Sequence, residues 1–353
     1  MNLPYLIDPS ARSLLRIALL SPVLVAGLVI EPEPAVAADN GMYCSSTAQT
    51  IERSCRSEAT DDYYKAQAIC MNLSETGERE DCLEEASTAR TENFSSCTAQ
   101  LAARRNVCAA VGEGRYDPEF DEIDHETDYR NPTRLNAYFP LRIGNKAELR
   151  GGGEVVSIEV LNKTKLIDEV RCIVVRDVVT VDGQLREATD DWFAVARNGN
   201  VWYCGEEVKD YEYTPGDRPQ APELISRDGS FKAGLNGDKP GIAFLGSPQV
   251  GRVYREEFSI GNAEDVSKVL STTYSYGEVP SLDRFVPMNL AQLLCARDCV
   301  VTLAFTARDP GVVEYKYYAR GMGQFLNVKP ATGETVQLVK CNYDPRCASL
   351  PSL

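Results

Sequence analysis

Distinct patterns of apolar and polar positions follow one another along the chain. The first is a single apolar run: Ile17-Ala18-Leu19-Leu20 continues through Val23-Leu24-Val25 to Val29-Ile30, behind Arg12 and Arg16 and ahead of Ala35-Val36-Ala37. Basic residues, a short apolar core and then small residues predict a cleaved secretory signal over residues 1–37. The run is about 14 residues long, contains Pro22 and falls short of the roughly 20 that a bilayer requires. That sets aside a retained anchor, and no later stretch is long and apolar enough to span.

Residues 39–112 carry few apolar side chains and no proline, and Ala, Glu, Arg and Gln dominate. What repeats is cysteine. Cys44, Cys55, Cys70, Cys82, Cys97 and Cys108 stand at gaps of 11, 15, 12, 15 and 11 residues, a palindrome. At about 100° per residue, gaps of 11 and 15 return a helical side chain to within about 20° and 60° of its start. Two antiparallel helices turning near Ser74-Glu75-Thr76-Gly77 therefore face each other with nested pairs Cys44–Cys108, Cys55–Cys97 and Cys70–Cys82. Thr76 and Glu80 offer a cap for the second helix. So small a unit buries too little core to stand alone, so disulfides hold it together. Zinc would require ligands two to four residues apart, often with histidine, so no metal is assigned.

Residues 113–134 form an acidic linker with Asp117, Glu119, Asp121, Glu122, Asp124, Glu126 and Asp128 around His125. Calcium favours clustered carboxylates, but the regular loop order is missing and charge runs usually stay solvated. From residue 135 to 353 short strands alternate with turn signals, which predicts a mainly antiparallel β domain, either a curved sheet or a half-open barrel. Val170–Val181, Glu187–Ala196 and Val201–Glu206 form three strands about the turns Asp182-Gly183 and Asn198-Gly199, both two-residue hairpin dipeptides. Further strands are expected near 153–162, 241–246, 252–259, 266–275, 300–308, 312–319 and 324–339. A long loop over 207–240 carries one short strand around Ser230–Ala233, and Pro287–Leu294 is a short helix. The whole is an α+β chain.

The two turns fix a register in which Cys172, Phe193 and Cys204 share one row across three strands. Cysteines two strands apart stand about 9–10 Å from each other, beyond the roughly 7 Å that a disulfide tolerates. The expectation is that Cys172 and Cys204 are not bonded, unless a bulge shifts one hairpin. Cys295, Cys299, Cys341 and Cys347 complete the set and tie the C-terminal tail to the sheet, with three connectivities open.

Composition adds the compartment. Twelve cysteines in 353 residues fit an oxidising environment, so the protein is read as periplasmic or extracellular. The formal net charge is −15; removing Arg12, Arg16, Asp8, Glu31 and Glu33 with the leader (+2 and −3, or −1) leaves about −14. Such a surface repels phosphate backbones, which argues against nucleic acid as a partner.

The words Tyr138-Phe139-Pro140-Leu141, Val174-Val175-Arg176-Asp177, Asp191-Trp192-Phe193-Ala194, Gly199-Asn200-Val201-Trp202-Tyr203, Lys239-Pro240-Gly241-Ile242 and Glu314-Tyr315-Lys316-Tyr317-Tyr318-Ala319 stand in order over about 138–339. In these the β domain resembles a family of uncharacterised secreted bacterial proteins. The chain departs from that pattern at Ile143-Gly144-Asn145-Lys146, where the family has Gly-Thr-x-Trp. It departs again at Cys204, where an apolar residue is usual, and through the segment around Cys295–Cys299. The family has no established activity, so the resemblance implies fold and export. The hairpin lies outside it and is similar only in principle to twin-CX9C helical hairpins, its outer spacing being C-x10-C.

Catalytic chemistry finds little purchase. His125 is the single histidine, and no nucleophile elbow, P-loop, dinucleotide fingerprint or zincin motif occurs. Gly321-Met322-Gly323 reads as a turn, and Cys295-Ala-Arg-Asp-Cys299 is not a C-x-x-C redox motif. Asp177, Asp190, Asp191, Glu206 and Glu314 lie on or beside strands and could converge for carboxylate-pair hydrolysis. The plainer reading leaves them in solvent or paired with Arg171, Arg176 and Lys316. Trp192, Trp202, Tyr203, Tyr317 and Tyr318 are candidates to line a ligand pocket, although aromatics at strand spacing more often fill core. The expectation is a non-enzymatic binding or interaction protein with an unknown protein or small-molecule partner and no cofactor. A carrier of a small apolar ligand in a barrel-like cavity and a carboxylate hydrolase are the alternatives.

Overall fold

The computed structural model describes residues 41–120 and 124–353. The predicted signal over 1–37, and Asp121 and Glu122 of the acidic linker, lie outside them. Helices α1 (Tyr43–Met71) and α2 (Thr76–Val111) form the hairpin. Its rungs are Cys44–Cys108, Cys55–Cys97 and Cys70–Cys82, with Cα atoms 5.6, 5.7 and 5.6 Å apart. Few hairpin side chains are buried besides cysteine and alanine. Thr76 is the first helical residue of α2 rather than its cap. The start of α1 is capped by the residue that follows α2 at the base of the hairpin: Tyr43 and Cys44 N–H donate to the Glu113 carbonyl, and Ser45 N–H donates to Glu113 Oε2 at 2.9 Å. A carboxylate there satisfies orphan donors and complements the helix dipole.

One antiparallel sheet takes up the rest. Its strands are β1 (Lys146–Gly151), β2 (Glu154–Ile167), β3 (Val170–Val181), β4 (Gln184–Val195), β5 (Val201–Glu207), β6 (Asp210–Glu212), β7 (Glu223–Ser226) and β8 (Phe231–Lys232). They continue with β9 (Gly241–Phe244), β10 (Val253–Arg255), β11 (Asp265–Tyr274), β12 (Cys299–Thr306), β13 (Val313–Ala319), β14 (Gly323–Val328) and β15 (Thr335–Cys341). The spatial order runs β10-β11-β12-β13-β14-β15-β1-β2-β3-β4-β5-β8, with β9 also on β5, and β6 joining β4 to β7. The last strand, β15, pairs with the first, β1. That contact joins both halves of the domain into one sheet, which is not closed into a barrel. It is strongly curled, since Phe193 of β4, Tyr254 of β10 and Tyr318 of β13 meet in one core cluster, and Lys239 bridges to Phe258 between the two ends.

The opposite face carries two further clusters. One packs Tyr317, Phe325, Leu326 and Leu338 beneath α3 (Pro280–Asp283) and α4 (Met288–Leu294). The other packs Val174, Trp192, Ala194 and Trp202 around Cys172 and Cys204. Several boundaries differ from the sequence expectation. The 324–339 stretch splits into β14 and β15 about the turn at Gly333, and 207–240 holds three short strands instead of one. β1 lies in a stretch where no strand was expected.

The largest correction concerns Cys172 and Cys204, which are bonded, with Cα atoms 6.8 Å apart. Asp182-Gly183 turns as expected, but the register slips between Val179 and Thr180, so Phe193 faces Ile173. Around Asn198-Gly199 the loop holds three residues, because Ala196 N–H donates to the Asn200 carbonyl. Phe193 then faces Tyr203, while Trp192 faces Gly205 and Cys204 is left as the extra residue of a bulge. A one-residue slip moves side chains to the other face, so both cysteines leave the Phe193 row and lie with Ala194, whose small side chain lets the bond cross β4. Only glycine fits at 205, where a Cβ would meet the Phe231 carbonyl oxygen at 2.3 Å. The remaining pairs are Cys295–Cys299, which closes the exit from α4, and Cys341–Cys347, which ties the tail's 3-10 helix to β15. Among the described residues no helix is long and apolar enough to cross a membrane.

Candidate functional site

The five aromatics proposed as a ligand lining do not gather around one cavity. Trp192 and Trp202 sit with the Cys172–Cys204 bond, Tyr203 and Tyr318 belong to the inner core, and Tyr317 packs under the α3–α4 segment. The acidic linker is not a free tether either. His125 bridges to Ala196, Phe120 packs edge-on against Trp202, and Tyr116 Oη donates to the Pro240 carbonyl at 2.9 Å. Glu126 is buried and accepts from Thr127, Asp128, Thr133 and Arg134 N–H. Burial opposes the charge, but these donors outweigh it and hold the carboxyl at about 2. It is a structural knot.

A concave site forms instead where the hairpin meets the sheet. The groove has a volume of about 370 Å³, within the range of small-molecule sites. One wall is the base of the hairpin, with Tyr43, Ala48, Ile51 and Val107, and the other is Phe258, Ile260 and Ala307 of the sheet, with Tyr116 of the linker between them. Its walls are clamped by a buried ion pair: Arg104 Nε and Nη2 donate to Glu264 Oε2 and Oε1 at 2.7 and 3.0 Å. Gly261 N–H donates to the same carboxylate at 2.6 Å, so Glu264 is fully engaged. Bidentate geometry of this kind fixes orientation as well as distance.

Arg255, at the end of β10, also lines the groove, and its surroundings differ. Its guanidinium lies 5.1 Å from the Phe258 ring centroid and 5.7 Å from that of Tyr116. The two rings are themselves 4.7 Å apart. Its one side-chain hydrogen bond goes to Cys44 Sγ at 3.3 Å, and its Nε is buried with no partner. Among the described residues no carboxylate pairs with it: Glu264 serves Arg104, and the nearby Asp117 serves Lys239 at 2.6 Å. Burial pushes Arg255 below its ordinary value, against the pull of Tyr116 and Glu264. Burial likewise pushes the Tyr116 phenol up to about 12, against Arg255.

On the other side of the same β10–β11 ribbon lies a row of acids. Glu256 accepts from Ser267 Oγ at 2.5 Å and from Lys316 Nζ at 3.3 Å, and Tyr203 Oη donates to Asp191 Oδ1 at 2.5 Å. Burial first, then Glu187 and Asp190, lift Asp191 to about 7 against its bond from Tyr203. Asp177 is raised by burial and then by Asp191 and Glu187, Glu206 by burial and then by Glu257 and Asp191, and Glu257 by burial and then by Asp265 and Glu256. Burial works against the charge on Lys316, but Glu256, Asp265 and Glu314 more than restore it. The expected ion pairing therefore holds for Asp190, which meets Arg176 at 2.6 Å, while burial and the neighbouring carboxylates raise Asp177, Asp191 and Glu206. Among the described residues no group of three or more ligating side chains could hold a metal ion.

Sequence reasoning missed Arg104, Arg255, Tyr116 and Phe258. The available signal was alternation in Tyr254-Arg255-Glu256, where one charged neighbour must face away from the other. No family model, no curated protein and no solved structure matches the chain.

Proposed function

We propose that this is an exported, non-enzymatic binding protein, acting in the periplasm or outside the cell, whose recognition site is the groove between the helical hairpin and the sheet. The observation that carries this reading is the groove itself: about 370 Å³, with apolar side chains on both walls and the Arg255 guanidinium set among them, while the two carboxylates that also line it, Glu264 and Asp117, pair with Arg104 and Lys239. A few polar groups in an otherwise apolar concavity are the usual composition of a ligand site. The carrier idea thus moves from a barrel interior to this junction, because the sheet is not closed.

Titration with anilinonaphthalene sulfonate, an apolar anion that fluoresces when desolvated, tests the reading. One saturable equivalent is expected, and Ile260→Trp, which fills the groove from its exposed rim, should abolish it. Unsaturable or unaltered binding would show that the groove is not the site.

A second reading, hydrolysis by paired carboxylates, draws support from Asp191 near pH 7 beside Tyr203, where a carboxyl can act as general acid or base. Glycosidase, esterase and peptidase substrates assayed against Asp191→Asn decide it. A turnover lost in the variant favours the enzyme.

A further inference from the structure

Among the described residues the groove presents two cations without an ion pair, Arg255 and Arg115. Several arginines of the chain make no ion pair, but Arg255 lacks one with its Nε buried at the groove. Arg104, on the hairpin wall of the same groove, has two bonds to Glu264, and Lys239 has Asp117. Arg255 has instead two aromatic rings and a sulfur, with its Nε buried and unbonded. Arg115 lies 4.1 Å above the Tyr43 ring and, among the described residues, has no ion pair either. Both cations border the same groove. A guanidinium offers a planar fork matched to a carboxylate, and away from water such a charge-assisted pair is worth more than at an open surface.

Beyond Arg255, Arg115 and the paired Arg104, Glu264, Lys239 and Asp117, the walls are mostly hydrocarbon, with Ala48, Ile51, Val107 and Ile260. A ligand that satisfies both ends carries one anionic head and an unbranched or compact apolar body. A diffuse polar ligand would leave the apolar walls unpaired with anything, and an organic cation would meet Arg255 and Arg115 head on.

We infer that the groove takes a small amphiphile with a single carboxylate, its head on Arg255 and its chain between the hairpin base and the Phe258–Ile260 turn. This rests on the groove being a ligand site, and the test separates the two claims. Isothermal titration of the protein with decanoate, decanol and decylamine is the experiment. Decanoate is expected to bind one to one, with decanol weaker by roughly tenfold to a hundredfold, the span of a charge-assisted hydrogen bond, and decylamine not at all. Arg255→Met should bring decanoate down to the level of decanol while leaving decanol unchanged. Should that variant fold poorly, the comparison of the three probes on the unaltered protein stands alone.

Equal binding of decanoate and decanol overturns the role of Arg255. If anilinonaphthalene sulfonate binds at one site but decanoate does not, the ligand class fails and the groove reading survives. If neither binds, both fail. A dimer by sedimentation that excludes decanoate assigns the groove to a second copy and also overturns the inference.

Discussion

The hairpin and the sheet are held together by different means. In α1 and α2 the buried positions are alanines, cysteines, one valine and Arg104, and three disulfides take the place of a core. The sheet buries Tyr129, Tyr274, Tyr317, Phe244 and Phe325 almost completely, and its disulfides decorate a structure already closed by apolar packing. Cross-links constrain the unfolded chain, whereas burial rewards the folded one. The two parts should therefore respond to different insults.

The largest effect is expected from Cys44→Ala with Cys108→Ala. With the Cys55–Cys97 rung intact that bond closes a ring of about 24 residues, for which loop entropy predicts a cost of about 3.5 kcal/mol. The helical circular-dichroism signal should melt well below that of the sheet; one coincident transition would break the comparison. Phe325→Ala sharpens it from the other side. It should cost the sheet about 3 kcal/mol through a cavity while leaving the hairpin transition in place.

Acidity discriminates next. Asp191 holds its proton up to about pH 7, while an unfolded aspartate releases it near 3.8. The folded state thus binds more protons across that window, and stability is highest at its acid end and falls as pH rises. Sheet stability should decline from about pH 4 to pH 7 with little change in the hairpin, and Asp191→Asn should flatten the slope. Denaturant titrations at a series of pH values read both. The smallest effect belongs to the turn after β2, where Glu169 has φ +67°. Glu169→Gly should gain about 1 kcal/mol by relieving a left-handed residue, visible in the sheet transition alone.

How far the sequence could be read follows the same division. Helical period is long-range and regular, so six cysteines located the hairpin and its pairing. Strand period is two, and a single extra residue inverts it: the slip at Val179–Thr180 and the bulge at Cys204 undid a register that the turns alone had implied. The inward acids were visible as strand residues, but which face curls inward depends on β15 closing against β1, nearly 200 positions apart. The groove was hidden for another reason. It belongs to neither part, and Arg104 and Glu264 meet across 160 residues.

The length of the hairpin has a mechanical consequence. The hydrogen bonds and ion pairs that join it to the sheet, among the described residues, lie at its base, at Cys44 and Arg104. Its far end carries the exposed Tyr64, Ile69 and Met71. From the Cys44–Cys108 rung to the Cys70–Cys82 rung α1 rises about 39 Å at 1.5 Å per residue, and the rungs between keep the two helices in step. The hairpin is a stiff lever with its fulcrum at the groove. On that helical rise a tilt of about 10° at the groove would carry the tip through about 7 Å.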